Sequence, residues 1–325
     1  MFSLYNRFTT QGTLSDPDEV PNPLYALPST VNWMHALSIL VEHQSLNFGS
    51  ASVFYAGTQK RVATVQEENT IFEQLLFAIH QLSALEALRA SPSKADVARV
   101  GIVSWYYGIY SAASAMIAAQ DGTIQDDHTG TATTWDRQFA ANNKVMAPFC
   151  YRLSTLVKKS FDIEVSILRA GNGFLLTEKA TNPTEAFGAC CSYLSGSADW
   201  WKWKAEQSLR STREFKNLNV SDFRTKTAQT LRDARLSGKS TAFLHQAFRY
   251  RGKANYREAL FLGYGKNAET LLNGYPDDLA IVLRGFVAMA GAFVAKRIGQ
   301  PLWSEFLDDI ERNRSFSLSP KNVWQ

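Results

Sequence analysis

Residues 100–120 carry no formal charge, and an uncharged stretch of that length has two homes, the hydrocarbon of a bilayer or the middle of a helical protein. Its small residues decide between them. Ser104, Gly108, Ser111 and Ala115 fall at i, i+4, i+7 and i+11, one stripe of a 3.6-residue helix, with Trp105, Tyr106, Tyr107 and Tyr110 around it. Lipid offers tyrosine hydroxyls no hydrogen-bond partner. The segment therefore reads as a helix packed closely between other helices, with no membrane contact expected. A small-residue stripe also lets helices of two subunits approach, so a homo-oligomer is expected.

Other segments point the same way. Leu279, Val282, Leu283, Phe286, Ala290, Phe293 and Val294 form a continuous apolar face over residues 277–297. Ile71, Phe72, Leu75, Leu76, Ile79 and Leu82 keep the helical period until Ser91-Pro92 stops it, and Ser93 with Asp96 resembles a capping box opening the next helix. Pro21, Pro23 and Pro28 predict an irregular arm, followed by a short helix over residues 31–47. Residues 51–56 read as strand or loop, 121–130 as a polar loop, and 135–139 and 149–157 as shorter helical stretches.

The period then changes. Ile163, Val165 and Ile167 alternate, and Asn172-Gly173 followed by Phe174, Leu175 and Leu176 predicts a small β-hairpin. From Pro183 the pattern is helical again, with breaks near Ser195-Gly196, Asn217 to Asn219 and Ser237-Gly238, and a loose tail after Arg312. The expected fold is mainly α: an N-terminal arm and helices over 1–92, then a helical bundle over 93–325 with an insertion at about 140–250.

Four prolines and several acids in the first thirty residues leave no basic, apolar, cleavage-site order of a secretory signal. Cys150, Cys190 and Cys191 have none of the spacings that staple a secreted domain or hold zinc. A reducing, cytoplasmic setting is expected, with the thiols as small apolar filler.

Charge supplies the first functional clue. Residues 201–257 hold fourteen Lys and Arg against four acids, a net of +10, so the remainder of this +4 chain sums to −6. Such a field recruits phosphate-rich partners, with affinity that falls as salt rises. Trp201, Lys202, Trp203 and Lys204 interleave rings with cations, the composition of a surface that stacks bases beside a backbone clamp, and Arg210, Arg213 and Lys253 extend the basic set. The same tryptophans alone also suit a core or a subunit interface. RNA or another nucleic acid is the expected partner, and an acidic protein would satisfy the same field.

Two segments resemble the HEPN superfamily, helical domains many of which belong to toxin–antitoxin or antiviral systems. One runs from Trp105-Tyr106-Tyr107-Gly108-Ile109-Tyr110 through a polar loop with His128 and Gly130 to Phe139. The other is Arg251-Gly252-Lys253-Ala254-Asn255-Tyr256, with the helix over 277–297 in the place of the family's closing helix. The resemblance covers about half the chain. It implies a HEPN-type bundle that acts on RNA in a defence or toxin-type system, possible partner proteins from that system, and, where members cleave, a metal-independent cut with sites paired across a homodimer. No cofactor is implied.

Nuclease members resemble one another in an arginine followed four to six residues later by a histidine, and no arginine here has a histidine at that spacing. Tyr256 follows Arg251 where the histidine would stand. A tyrosine with a pKa of about 10 is roughly 0.1% ionised at neutral pH, a poor general base. Arg251 and Asn255, four apart, are placed to grip a phosphate from one helix face. The candidate catalytic residues are therefore Arg251, Asn255 and Tyr256, against a structural reading in which Arg251 bonds a carbonyl or an acid and Tyr256 packs in the core. His128, amid Asp126, Asp127 and Thr129, has too few ligands beside it for a metal and reads as a loop cap. His35, His43, His80 and His245 receive no role, Gly263-Tyr264-Gly265 is too short for a phosphate loop, and no serine-nucleophile motif occurs. The alternative to an RNA-cleaving effector is an inactive HEPN-like scaffold that holds partners through its basic, tryptophan-bearing segment.

Overall fold

The computed structural model describes residues 23–255, 259–264 and 268–325. They form a helical bundle. Helices α1 (Pro23–His43), α2 (Phe48–Phe54), α3 (Val65–Arg89), α4 (Lys94–Asp121) and α5 (His128–Gln138) are followed by α6 (Lys158–Arg169), α7 (Pro183–Arg210), α8 (Arg213–Lys216) and α9 (Lys226–Ser237). Then come α10 (Phe243–Asn255), α11 (Leu260–Gly263), α12 (Ala268–Leu271), α13 (Tyr275–Ile298), α14 (Gln300–Asn313) and α15 (Lys321–Trp324).

Helix α13 is the axis, packed on α4, α3, α1 and α2. Among the described residues, one apolar stretch ending at Ile298 is long enough to cross a membrane, and it lies buried inside the bundle. The stripe on α4 serves this contact: a Cβ on Gly108 would fall 2.7 Å from both methyl groups of Leu283. The small residues therefore admit a helix of the same chain. Apolar burial is continuous from Leu27 to Trp324, with residues on both sides of position 92 in one core. Arg297 at the end of α13 donates to the Ala119 and Gln120 carbonyls at the end of α4, which no intrahelical partner reaches.

Several helix starts follow the sequence. Thr64 and Glu67 form a reciprocal capping box for α3, and Asn47 with Ser50 does so for α2, turning residues 48–54 into helix where strand or loop was expected. Ser93 caps α4 through the Asp96 amide, while the Glu269 carboxylate from α12 takes the Lys94 and Ala95 amides at 2.5 and 3.0 Å.

Other expectations fail: α1 begins at Pro23 and runs through Pro28, inside the stretch expected to be an irregular arm, and four more fail for packing reasons. Residues 158–169 are helix, and no strand forms among the described residues beyond an isolated antiparallel bridge, Leu153 to Thr241. Phe161, Val165 and Leu168, spaced four and three apart, enter a small core with Leu153, Leu194 and Leu236, leaving Ile163 and Ile167 outside. Asn172-Gly173 is a loop pinned to α7, where the Asn172 amide donates to the Thr184 carbonyl at 2.6 Å. Residues 149–157 are extended and turn backbone instead of helix. Ser195-Gly196 does not break α7, because Ser197 and Ala198 continue its buried face. The C-terminal segment is docked: Trp324 is buried, donates from Nε1 to the Val287 carbonyl at 2.9 Å, and lies where a Cβ on Gly291 would intrude.

His245 caps the start of α10 by accepting the Ala242 amide at Nδ1, 3.2 Å away. Burial, and after it the charges of Arg152 and Lys239 against that of Asp136, push its pKa down to about 4. The neutral ring is thus the folded form, and its contribution is present above the unfolded value of about 6.5 and lost as pH falls toward 4. The urea midpoint is expected to fall over that window, and His245→Asn, which keeps an acceptor that does not titrate, is expected to flatten the fall.

Candidate functional site

Helix α10 buries Phe243, Leu244, Ala247, Tyr250 and Ala254, which leaves Phe248 and Arg251, three apart, on a partly open face. Helix α4 presents Tyr106, Tyr107 and Tyr110 toward the same place. Helix α5 completes it. Asp127 is the N-cap of α5, its Oδ1 accepting the Thr129 and Gly130 amides at 2.8 and 2.7 Å, and this fixes His128 as the first helical residue with its ring among the tyrosines.

The guanidinium of Arg251 donates from Nη1 to Nε2 of His128 at 3.1 Å. It also lies 4.9 Å over the Tyr106 ring and 5.1 Å over Phe248. Its Nε is buried and unpartnered, and among the described residues no carboxylate pairs with it. Since an arginine donates and does not accept, His128 Nε2 must carry the lone pair and Nδ1, buried and unpartnered, the proton. Burial first, and then the Arg251 charge, hold the His128 pKa below the ordinary histidine value despite the opposing pull of Asp127. Burial raises the Tyr106 hydroxyl well above its usual value. The site is a neutral imidazole beside a charged guanidinium, walled by aromatic rings.

The wall continues into a cationic strip. Phe248 stacks with Trp201 at 5.9 Å, and the Lys204 ammonium lies 5.2 Å over Trp200, 5.3 Å over Trp201 and 5.9 Å over Phe248. Arg249 lies 5.7 Å over Trp200. Lys204, Arg249 and Arg251 thus rest on rings and form no ion pair among the described residues. Trp203, 52% exposed, is the residue before Lys204 on the same helix and makes no ring contact with the strip among the described residues.

Of the residues singled out from sequence, Arg251, Trp201 and Lys204 come together around Phe248, while Trp203 is exposed and makes no ring contact with them among the described residues. Asn255 is exposed at the end of α10, one turn beyond Arg251. Tyr256 lies outside the described residues. Lys202 is turned away, paired with Glu206 at 2.9 Å. Lys253 is a correction: two residues from Arg251 it faces the opposite side of α10, buried against Ser29 and Tyr193, and is no surface cation. Arg210 and Arg213 belong to a separate small lobe around Phe215 and Phe223, where Arg210 lies 5.5 Å over Phe223. His128 is the residue that sequence reasoning set aside. Its signal was an acidic N-cap directly ahead of a histidine, facing a helix with three tyrosines in five residues.

Compared with protein-family models, curated proteins and solved structures, the chain matches none.

Proposed function

We propose that this chain binds RNA and cleaves it without a metal at the Arg251–His128 pair, as a HEPN-like effector. The observation that carries the reading is the pairing itself. An arginine with no acidic partner holds a histidine 123 residues away in sequence at 3.1 Å, in a site whose burial keeps that histidine unprotonated. A phosphate entering between Arg251 and Lys204 draws the guanidinium onto its oxygens and frees His128 Nε2. The imidazole then removes the proton of the ribose 2′-hydroxyl. The 2′-oxygen bonds to the adjacent phosphorus as the bond to the 5′-oxygen breaks, and that oxygen leaves with a proton from water. Arg251 offsets the charge that builds on the non-bridging oxygens, and the product ends are a 2′,3′-cyclic phosphate and a 5′-hydroxyl. The deciding experiment incubates the purified protein with matched RNA and 2′-deoxy oligonucleotides in EDTA and identifies the new ends. RNA cut to those ends supports the reading, and equal cutting of the DNA strand, or ends of another kind, refutes it.

Binding is separable from cleavage through a 2′-O-methyl strand, which has no free nucleophile. Its affinity is expected to fall with salt, and Lys204→Ala to reduce the logarithmic slope by about 0.7, one single-strand phosphate contact. Trp203→Ala is expected to cost about 1–3 kcal/mol of affinity at every salt concentration, the range for one stacked base. Fluorescence anisotropy across a salt series reads both.

A role in holding a partner protein has one observation of its own. Ile163 and Ile167, one turn apart on α6, are 61% and 73% exposed, and Leu175 beyond the helix is also exposed. None of these three residues belongs to the Arg251 strip, so the two roles do not compete for residues.

A further inference from the structure

Beside the Arg251–His128 pair, on the far side of Tyr110, the surface sinks into a hollow between α3, α4 and the loop that leads to α5. It is shallow and open, and the roughly 340 Å³ of space within it includes the solvent at its mouth. Gln74, Gln125, Thr70, Tyr110, Ile117 and Ile124 line it, and no charged side chain does. Tyr110 is shared between the two places: its ring centroid is 4.5 Å from that of His128, and its hydroxyl reaches the Gln125 carbonyl at 3.5 Å.

The hydrogen-bonding capacity of this hollow is unspent. Among the described residues neither the Gln74 nor the Gln125 side-chain amide has a hydrogen-bond partner, although both are half-buried. Thr70 and Ser114, by contrast, turn their hydroxyls back onto helix carbonyls. Gly130 leaves the room that Gln125 uses, since a Cβ there would fall 2.7 Å from the Gln125 Oε1. Two free amides each present a donor and an acceptor, an aromatic ring forms one side, and isoleucines close the rest. That chemistry rejects a phosphate, which needs cations, and fits a flat neutral heterocycle with donors and acceptors on its edge.

We propose that this hollow is a nucleobase pocket that reads the base on the 5′ side of the cut. The assignment rests on the proposed cleavage site, because the nucleotide whose 2′-hydroxyl meets His128 carries its 3′-phosphate at Arg251 and has its base directed past Tyr110. The protein is thereby a base-selective ribonuclease, not one indifferent to sequence. It also requires an unpaired base at that position, since a base held in a duplex cannot enter.

The test titrates the intact protein with the four nucleoside 3′-monophosphates by calorimetry, and repeats it with Gln74→Leu, Gln125→Leu and Arg251→Ala. One nucleotide is expected to bind about tenfold tighter than the weakest, as one good base-edge contact provides, and either leucine substitution to erase that preference. Four equal affinities, all reduced by Arg251→Ala, overturn the pocket and leave the phosphate site standing. A base preference that survives in Arg251→Ala at lower overall affinity supports the pocket. A preference unchanged in both leucine variants, or no nucleotide binding at all, overturns the pocket, and the cleavage assay then judges the catalytic reading separately.

Discussion

His128→Ala is expected to lower the RNA-cleavage rate by two to four orders of magnitude, the range for loss of a positioned general base. Arg251→Ala removes a charge-stabilising donor and is expected to lower it by two to three orders. The two losses should not add, because the residues hold one another: without Arg251 the imidazole loses its Nε2 partner, and without His128 the guanidinium keeps only its rings. His128→Gln separates chemistry from placement. Glutamine accepts the Arg251 hydrogen bond and takes up no proton near neutrality, so it should preserve binding of a 2′-O-methyl strand while leaving cleavage as low as in His128→Ala. Recovery of the rate in His128→Gln would assign His128 a positioning role only. The pH profile gives a second readout. Burial and Arg251 depress the imidazole pKa, so its base form persists below the ordinary histidine range, and the acid limb of the rate is expected below about pH 6.5. Circular dichroism and a denaturant midpoint near that of the wild type certify that each variant is folded.

The second large effect is on stability. Gly108→Leu is expected to destabilise the monomer by about 3 kcal/mol or more, the upper part of the range for overpacking a filled core. The first carbon of any side chain there would meet the Leu283 methyl groups at 2.7 Å, and Leu283 is fully buried. Gly108→Ala, with only that carbon, is expected to cost less, and Gly108→Ala with Leu283→Ala to recover part of the loss. Urea melts of the four proteins check the series. If Gly108→Leu instead stayed stable and changed only the mass measured by light scattering, the α4 stripe would be a subunit contact and the Gly108–Leu283 packing would carry little stability.

The helices of this protein were legible wherever one periodicity governed a whole segment. The uncharged run in α4 and the apolar face of α13 could be placed from sequence because burial on nearly all sides leaves a pattern that no surface helix shares. The Ser93 cap and the Ser91-Pro92 stop are likewise local, a matter of which backbone groups a nearby side chain can satisfy. The alternation at Ile163, Val165 and Ile167 misled because it competes with the spacing of Phe161, Val165 and Leu168, and only the partners Leu153, Leu194 and Leu236 decide which set is buried. The C-terminal tryptophan looked like part of a tail because its receptor, Gly291 beside Val287, is made by another helix.

The site divides in the same way. The Trp201–Lys204 strip announced itself through charge and composition, which a sequence carries openly, whereas Arg251 was singled out only by the resemblance of its segment to the HEPN pattern. Lys253 shared that charge and went inward, because a helix turns two neighbouring cations to opposite sides and the chain alone does not say which side is covered. The histidine beside Arg251 was sought within six residues, where helical geometry would bring it. It stands 123 residues earlier, on α5, and what brings it there is the packing of α10 and α5 against the tyrosine face of α4. Sequence therefore determined the long, continuously periodic helices such as α3, α4 and α13 and the excess of positive charge, which depend on neighbours along the chain. Tertiary structure alone decided which cation meets which base, because a hydrogen bond between distant residues depends on the relative placement of helices, to which every buried side chain contributes.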